Sequence, residues 1–174
     1  VVCAISRDHI DWLPENDRTV ERIVFEKTSS LLNSNIIVAK QRDKETIECI
    51  KKTISKNQSN KYFFNEDFSF TNEENGYWHY EDKFGGLKLQ TPNVLGQFQL
   101  ENISTAIATL RTLELGISDN HIKKGITKIK SIARLQEIKS GKLKDLVKNN
   151  KLIVDGSHNE HGAQVLNEYL ETLD

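Results

Sequence analysis

The sequence predicts an α/β fold: a parallel sheet flanked by helices, a small antiparallel meander set into it, and the start of a second α/β unit. Three observations lead there. Short apolar runs alternate with helix-periodic stretches through the first 55 residues. Aromatic and alternating runs between 62 and 90 are punctuated by Asn75-Gly76 and Gly85-Gly86. A last apolar run, Leu152-Ile153-Val154, passes through Asp155-Gly156 into an amphipathic stretch.

Residues 1–6 read as a core strand. Asp17 or Thr19 then caps a helix whose apolar positions Val20, Ile23, Val24 and Leu31 share a face, with Lys27 on the same stripe. Residues 36–39 form the next buried strand, and Ile47, Ile50 and Ile54 line one side of a following helix. The meander takes Phe63-Phe64, Phe68 to Phe70, Tyr77 to Tyr80 and Leu87 to Leu89. A helix over about 99–115 buries Ile103, Ala106, Ile107 and Leu110, with Gly116 near its C-cap. A short helix around 119–129 leads to a strand at 134–138. Residues 152–154 form a buried strand, and Val165, Leu166, Tyr169, Leu170 and Leu173 mark the final helix.

Composition narrows the class. The 174 residues are 37% hydrophobic and 28% charged, with no apolar run near the roughly 20 residues of a membrane helix. A net charge of -1 offers no field to nucleic acid or anionic lipid, so neither is expected as a partner. Cys3 and Cys49 are far apart and lack a CxxC spacing, which points to a reduced, cytoplasmic compartment. The chain holds no Met, opens directly on an apolar strand and stops at Asp174 in an amphipathic stretch, so it is expected to be a piece of a larger architecture.

Chemistry-bearing residues collect at predicted carboxyl ends of strands, where open α/β sheets bind ligands. Asp155, Gly156, Ser157, His158 and Asn159 follow one strand and precede a helix whose free N–H groups suit phosphate. Asp8, His9 and Asp11 follow another, and His9 could ligate a metal or sit in a capped turn. Lys27, a cation on an apolar stripe, either snorkels outward or is partly desolvated; a neutral amine could capture carbon dioxide as a carbamate, an oxygen ligand for Mg²⁺. Gln99 and Asn102 share one face of a helix's first turn, and Arg134 could grip a triphosphate through its planar fork. Asp155, His158 and His161 have a weaker alternative as a zinc site, and no GxxxxGK[S/T] loop occurs.

Taken in order, DHIDWL at 8–13, FEK at 25–27, LGQFQLEN at 95–102, ARLQ at 133–136 and DGSHNEHGA at 155–163 resemble the folylpolyglutamate synthase and dihydrofolate synthase family of the ATP-dependent Mur ligase superfamily. The resemblance implies that residues 1–129 are the later part of a Mur-ligase-type central ATPase domain and residues 130–174 the beginning of a Rossmann-like C-terminal ligase domain. It implies ATP and Mg²⁺ as cofactors, with His9 as a metal ligand and Lys27 as a carbamylated lysine beside the metal. Asn102, Arg134 and Asp155 match nucleotide-binding positions, and His158 matches a histidine near the phosphates. The implied reaction passes the γ-phosphoryl group of ATP to a carboxylate of folate or dihydropteroate, and the amine of L-glutamate then attacks the acyl phosphate. This stretch alone is expected to be incompetent without the phosphate loop, which a companion chain could supply; a non-catalytic remnant or a nucleotide-binding subunit is the alternative. Local departures are a longer stretch between His9 and Lys27, Phe98 where a His is common, Ala133 in place of a Gly, and Thr28-Ser29 in place of Ala-Gly.

Overall fold

The computed structural model describes residues 1–7, 12–31, 34–113 and 115–173. It is a mixed α/β protein with a short parallel sheet and two antiparallel sheets. A 3-10 turn at Glu15–Asp17 precedes α1 (Val20–Thr28), β1 (Ile36–Val38), α2 (Lys44–Ile54) and β2 (Lys61–Phe63). The meander follows as β3 (Phe68–Asn72), β4 (Tyr77–Asp82) and β5 (Leu87–Gln90). Beyond it lie α3 (Gln97–Thr112), α4 (Asp119–Ile126), β6 (Gln136–Glu137), α5 (Lys142–Val147), β7 (Ile153–Val154) and α6 (Glu160–Leu170).

β1 organises the first half because both of its faces are covered. It pairs in parallel with β2 on one side and with Val2 on the other, through Val2 N to Ile37 O and Ala39 N to Val2 O, each 2.8 Å. Side chains alternate along a strand. Ile36 and Val38 therefore enter a core with Val20, Val24, Ile50 and Ile54 from α1 and α2, whereas Ile37 enters a second core with the meander and α3. Each fully buried aliphatic side chain contributes roughly 1.5–3 kcal/mol.

Local chemistry explains the element ends. Thr19 accepts the Arg22 amide to start α1, Asp43 accepts the Glu45 amide to start α2, and Ser118 with His121 forms a capping box on α4. Asn75 and Gly76 turn the β3–β4 hairpin with φ of 63° and 76°. Trp78 and Tyr80 from β4 are fully buried against α3 and α4.

Several expectations change. Residues 1–6 give a single bridge at Val2 instead of a strand, because the Ile5 amide turns away to the Gln41 side chain at 2.9 Å. Phe63 belongs to β2, a parallel partner of β1, and is not part of the meander. Ala106 faces solvent, and Leu100 and Ala108 take its place in the core. The strand expected at 134–138 shrinks to two residues, paired antiparallel with β7. β7 is not buried either: Val154 is 41% exposed, since β6 alone covers it. No helix among the described residues is long and apolar enough to cross a membrane.

The C-terminal end of α3 is tied to β4 by a buried ion pair. Arg111 donates to Asp82 at 2.7 Å, and their side chains are 9% and 6% exposed. Asp82 also accepts the Tyr80 hydroxyl and the Phe84 amide, each at 2.8 Å. Burial first, then the hydrogen bond and charge of Asp82, hold the Tyr80 phenol far above its ordinary range. Removing Asp82 strips Arg111 of its buried partner and leaves it the more exposed Asp119 at 3.1 Å and the Gly85 carbonyl at 2.8 Å. Asp82→Ala is expected to lower unfolding free energy by about 2–3 kcal/mol in a urea titration followed by Trp fluorescence, well beyond a surface substitution.

Candidate functional site

A cleft of about 380 Å³ opens where β1 ends, α3 begins, and the 131–135 and 155–162 segments meet. Its lining brings together Asn102, Arg134 and Asp155, the three residues singled out for nucleotide binding. Lys40 and Arg42 follow β1, Gln99 and Glu101 come from the first turns of α3, and Ser157 and His161 lie on the opposite wall.

The backbone at the cleft is shaped by three unusual residues. Gly96, the N-cap of α3, has φ 88°, and a Cβ there would stand 2.6 Å from the Phe98 ring and 2.8 Å from Leu135. Only glycine fits. Ala133 and Leu135 take left-handed φ of 53° and 47°, which costs an L-residue roughly 1–2 kcal/mol each. They are held there by explicit bonds. Leu135 N donates to Asp155 Oδ2 at 2.7 Å, Gly156 N donates to Ala133 O at 2.8 Å, and Ala133 N donates to Gln136 Oε1 at 3.0 Å. Between the two strained residues sits Arg134, exposed and on the cleft lining.

Asp155 is the hub of that arrangement. Its other oxygen accepts the Ser157 amide at 2.7 Å and the Ser157 hydroxyl. Burial alone would raise its pKa, but the Ser157 hydroxyl, the Leu135 and Ser157 amides and the Arg134 charge together bring it below the ordinary carboxylate value. It stays ionised beside the cleft. On the other wall, Glu101 is buried and pairs with Lys40 at 2.6 Å and with Arg42 at 3.8 Å. Arg42 also pairs with Glu168 of α6. His161 lies among these charges; burial first, and then the Arg42 charge, lower its pKa, against opposing pulls from Glu168 and Glu101.

Other expected residues stand apart from the cleft lining. His158 is exposed, its Nδ1 donating to Gly156 O at 2.9 Å. Lys27, in the last turn of α1, is exposed although it follows the apolar stripe, because the buried face narrows to Val20, Ile23, Val24 and Thr28. His9 lies outside the described residues. Among the described residues no three His, Cys, Asp or Glu side chains converge as metal ligands, so Asp155, His158 and His161 make no zinc site. The described residues therefore offer no ready-made cage for a divalent cation, and His9, the expected ligand, is not among them.

Lys40, Arg42, Glu101 and the cleft role of His161 were not singled out beforehand. The rule that ligands gather at strand carboxyl ends applies to Lys40 and Arg42 as it does to Asp155. Nothing local in the sequence marks Glu101 as their partner.

No family model matches the chain. It is 27% identical to the dihydrofolate synthase/folylpolyglutamate synthase of Haemophilus influenzae over 187 aligned positions, which cover 99% of the chain and 39% of that protein. Its fold superposes on E. coli FolC in complex with DHPP and ADP with a TM-score of 0.75, at 25% identity, covering 100% of the chain and 38% of FolC. This chain is similar to the folylpolyglutamate synthases. An FPGS–AMPPCP–folate complex matches with a TM-score of 0.79 at 21% identity, covering 99% of the chain and 41% of that synthase. The chain thus spans about two fifths of the synthases it matches.

Two outcomes follow from the site. Ala133→Gly relieves a left-handed φ at the expense of unfolded-chain entropy, and a gain of up to about 1 kcal/mol is expected in thermal unfolding. A loss of stability would show that the Ala133 methyl packs better than its backbone fits. The second concerns pH. The folded state holds His161 below the ordinary histidine value of about 6.5, so the unfolded chain binds this proton first as pH falls. Stability from this group is full above about 6.5 and declines below it, toward the lowered folded value. His161→Gln should flatten the melting-temperature profile between pH 6.5 and 5; an unchanged slope would disprove the assignment.

Proposed function

We propose that residues 1–174 provide the nucleotide-holding cleft of an ATP-dependent ligase of the folylpolyglutamate synthase type. The observation that carries this reading is the convergence of Asn102, Arg134 and Asp155, far apart in sequence, on one cleft. Arg134 suits phosphate through its fork, Asn102 offers an amide for an adenine edge or phosphate, and Asp155 presents a carboxylate beside them. Lys40 and Arg42 also line the cleft, their charges balanced there by Glu101 and Glu168. Relatives captured with ADP or AMPPCP make the nucleotide the natural ligand to try.

In the full reading, residues 1–129 belong to the central ATPase domain and 130–174 open the C-terminal ligase domain. The γ-phosphoryl group of ATP goes to a carboxylate of folate or dihydropteroate, and the amine of L-glutamate displaces phosphate to form the amide. His9 as a Mg²⁺ ligand, Lys27 as a carbamate and His158 near the phosphates belong to this proposal and to no contact described above. Residues 1–174 contain no GxxxxGK[S/T] sequence. A loop of that kind would have to come from outside this stretch, from the same polypeptide or from a companion chain.

Calorimetry with ATP, with and without Mg²⁺, is expected to show binding that Arg134→Ala and Asp155→Asn each weaken about tenfold, the effect of one lost charge-assisted hydrogen bond. No ATP binding at millimolar concentration, or indifference to both substitutions, defeats the nucleotide assignment. ADP release coupled to glutamylation by residues 1–174 alone would instead overturn the expectation that this stretch is incompetent, because losing phosphate-positioning groups removes several kcal/mol of transition-state stabilisation.

A further inference from the structure

We propose that Arg42 is a positioning residue that sets the nucleotide cleft by docking α6 through Glu168, a role that rests on the nucleotide reading given above. Arg42 reaches across 126 positions of sequence to Glu168, while its second nitrogen lies 3.8 Å from Glu101 on α3. One guanidinium therefore touches carboxylates on two elements that form opposite walls of the cleft. Its planar fork suits that double task.

α6 depends on such a link because none of its residues is buried. Val165 and Leu166 are only half-buried where they line the cleft, and Leu170 is 47% exposed. With little apolar area holding the helix, one charge pair decides a larger share of its placement. The pair is also better shielded than an ordinary surface bridge on its Arg42 side, whose side chain is 22% exposed. Glu101 in turn is fixed by Lys40 at 2.6 Å, so the guanidinium is anchored to the α3 wall before it reaches Glu168. His161 sits between the walls, facing Arg42, Glu101 and Glu168.

Glu168 lies outside the cleft lining, which makes Glu168→Gln the decisive substitution. Two measurements on the full chain separate docking from simple proximity: ATP affinity by calorimetry and the His161 imidazole titration by NMR. If the pair docks α6, Glu168→Gln frees the helix and solvates His161, whose pKa then rises toward its ordinary value. If α6 stays in place, the same substitution only removes a nearby negative charge, and the His161 pKa falls further. Arg42→Ala and Glu168→Gln are expected to weaken ATP binding about fivefold, with Arg42→Lys recovering part of the loss. A fall in the His161 pKa with Glu168→Gln overturns the proposal, as does unchanged ATP affinity in Arg42→Ala. Should the unmodified chain bind no ATP, the nucleotide reading fails while the His161 comparison still decides the docking role.

Discussion

The cleft depends on a single carboxylate. Asp155 gives one oxygen to the amide of Leu135 and the other to Ser157, and so reinforces two segments joined by a two-residue β-ladder and a few flanking backbone bonds. An amide that has turned into a left-handed conformation cannot point at the regular ladder and needs another acceptor. Without Asp155 the Leu135 N–H would lose its partner, the left-handed residues would have less to hold them, and Arg134 would no longer be presented where it is. A residue expected to contact a ligand is thus also the one that builds the wall, and its two roles share the same lone pairs.

The two walls use different physics. The wall of β1 and α3 stands on buried apolar area, with Glu101 held inside it by two cations. The wall of 131–135, 155–162 and α6 stands on hydrogen bonds, left-handed backbone and a cap in which Asn159 accepts the Gly162 amide at 2.8 Å. Gly162 belongs to that economy, since a Cβ there would sit 2.8 Å from the Ser157 side chain. Packing fixes the first wall to fractions of an ångström. Directional bonds fix the second, and each can be lost separately.

Much of this was legible in the sequence, for local reasons. Thr19, Ser118 and the Asn75-Gly76 turn announce helix starts and a hairpin because their effects are confined to three or four residues. The order of the motifs carried Asn102, Arg134 and Asp155, which the fold brings to one cleft. What was misread depends on distant partners. β2 looks like part of the meander until β1 is known to lie beside it, and the choice between a snorkelling and a desolvated Lys27 stays open until the width of the α1 face is known. The Lys40–Glu101 and Arg42–Glu168 pairs join positions 61 and 126 apart, and periodicity carries no trace of such pairing.

The distribution of buried side chains along the chain also sets an order of events during synthesis. Every hydrophobic residue of the two buried clusters lies at or before Ile126, and Leu135 is the one buried apolar residue after it among those described. On a ribosome the N-terminal residues emerge first and can collapse as a unit before later ones appear. The platform of β1, the meander and α3 is therefore complete when Ala133 and Leu135 emerge, and the left-handed turn is moulded against a surface already formed. Errors in the later segment would leave that platform intact, so a damaged cleft and a folded protein are compatible outcomes for this chain.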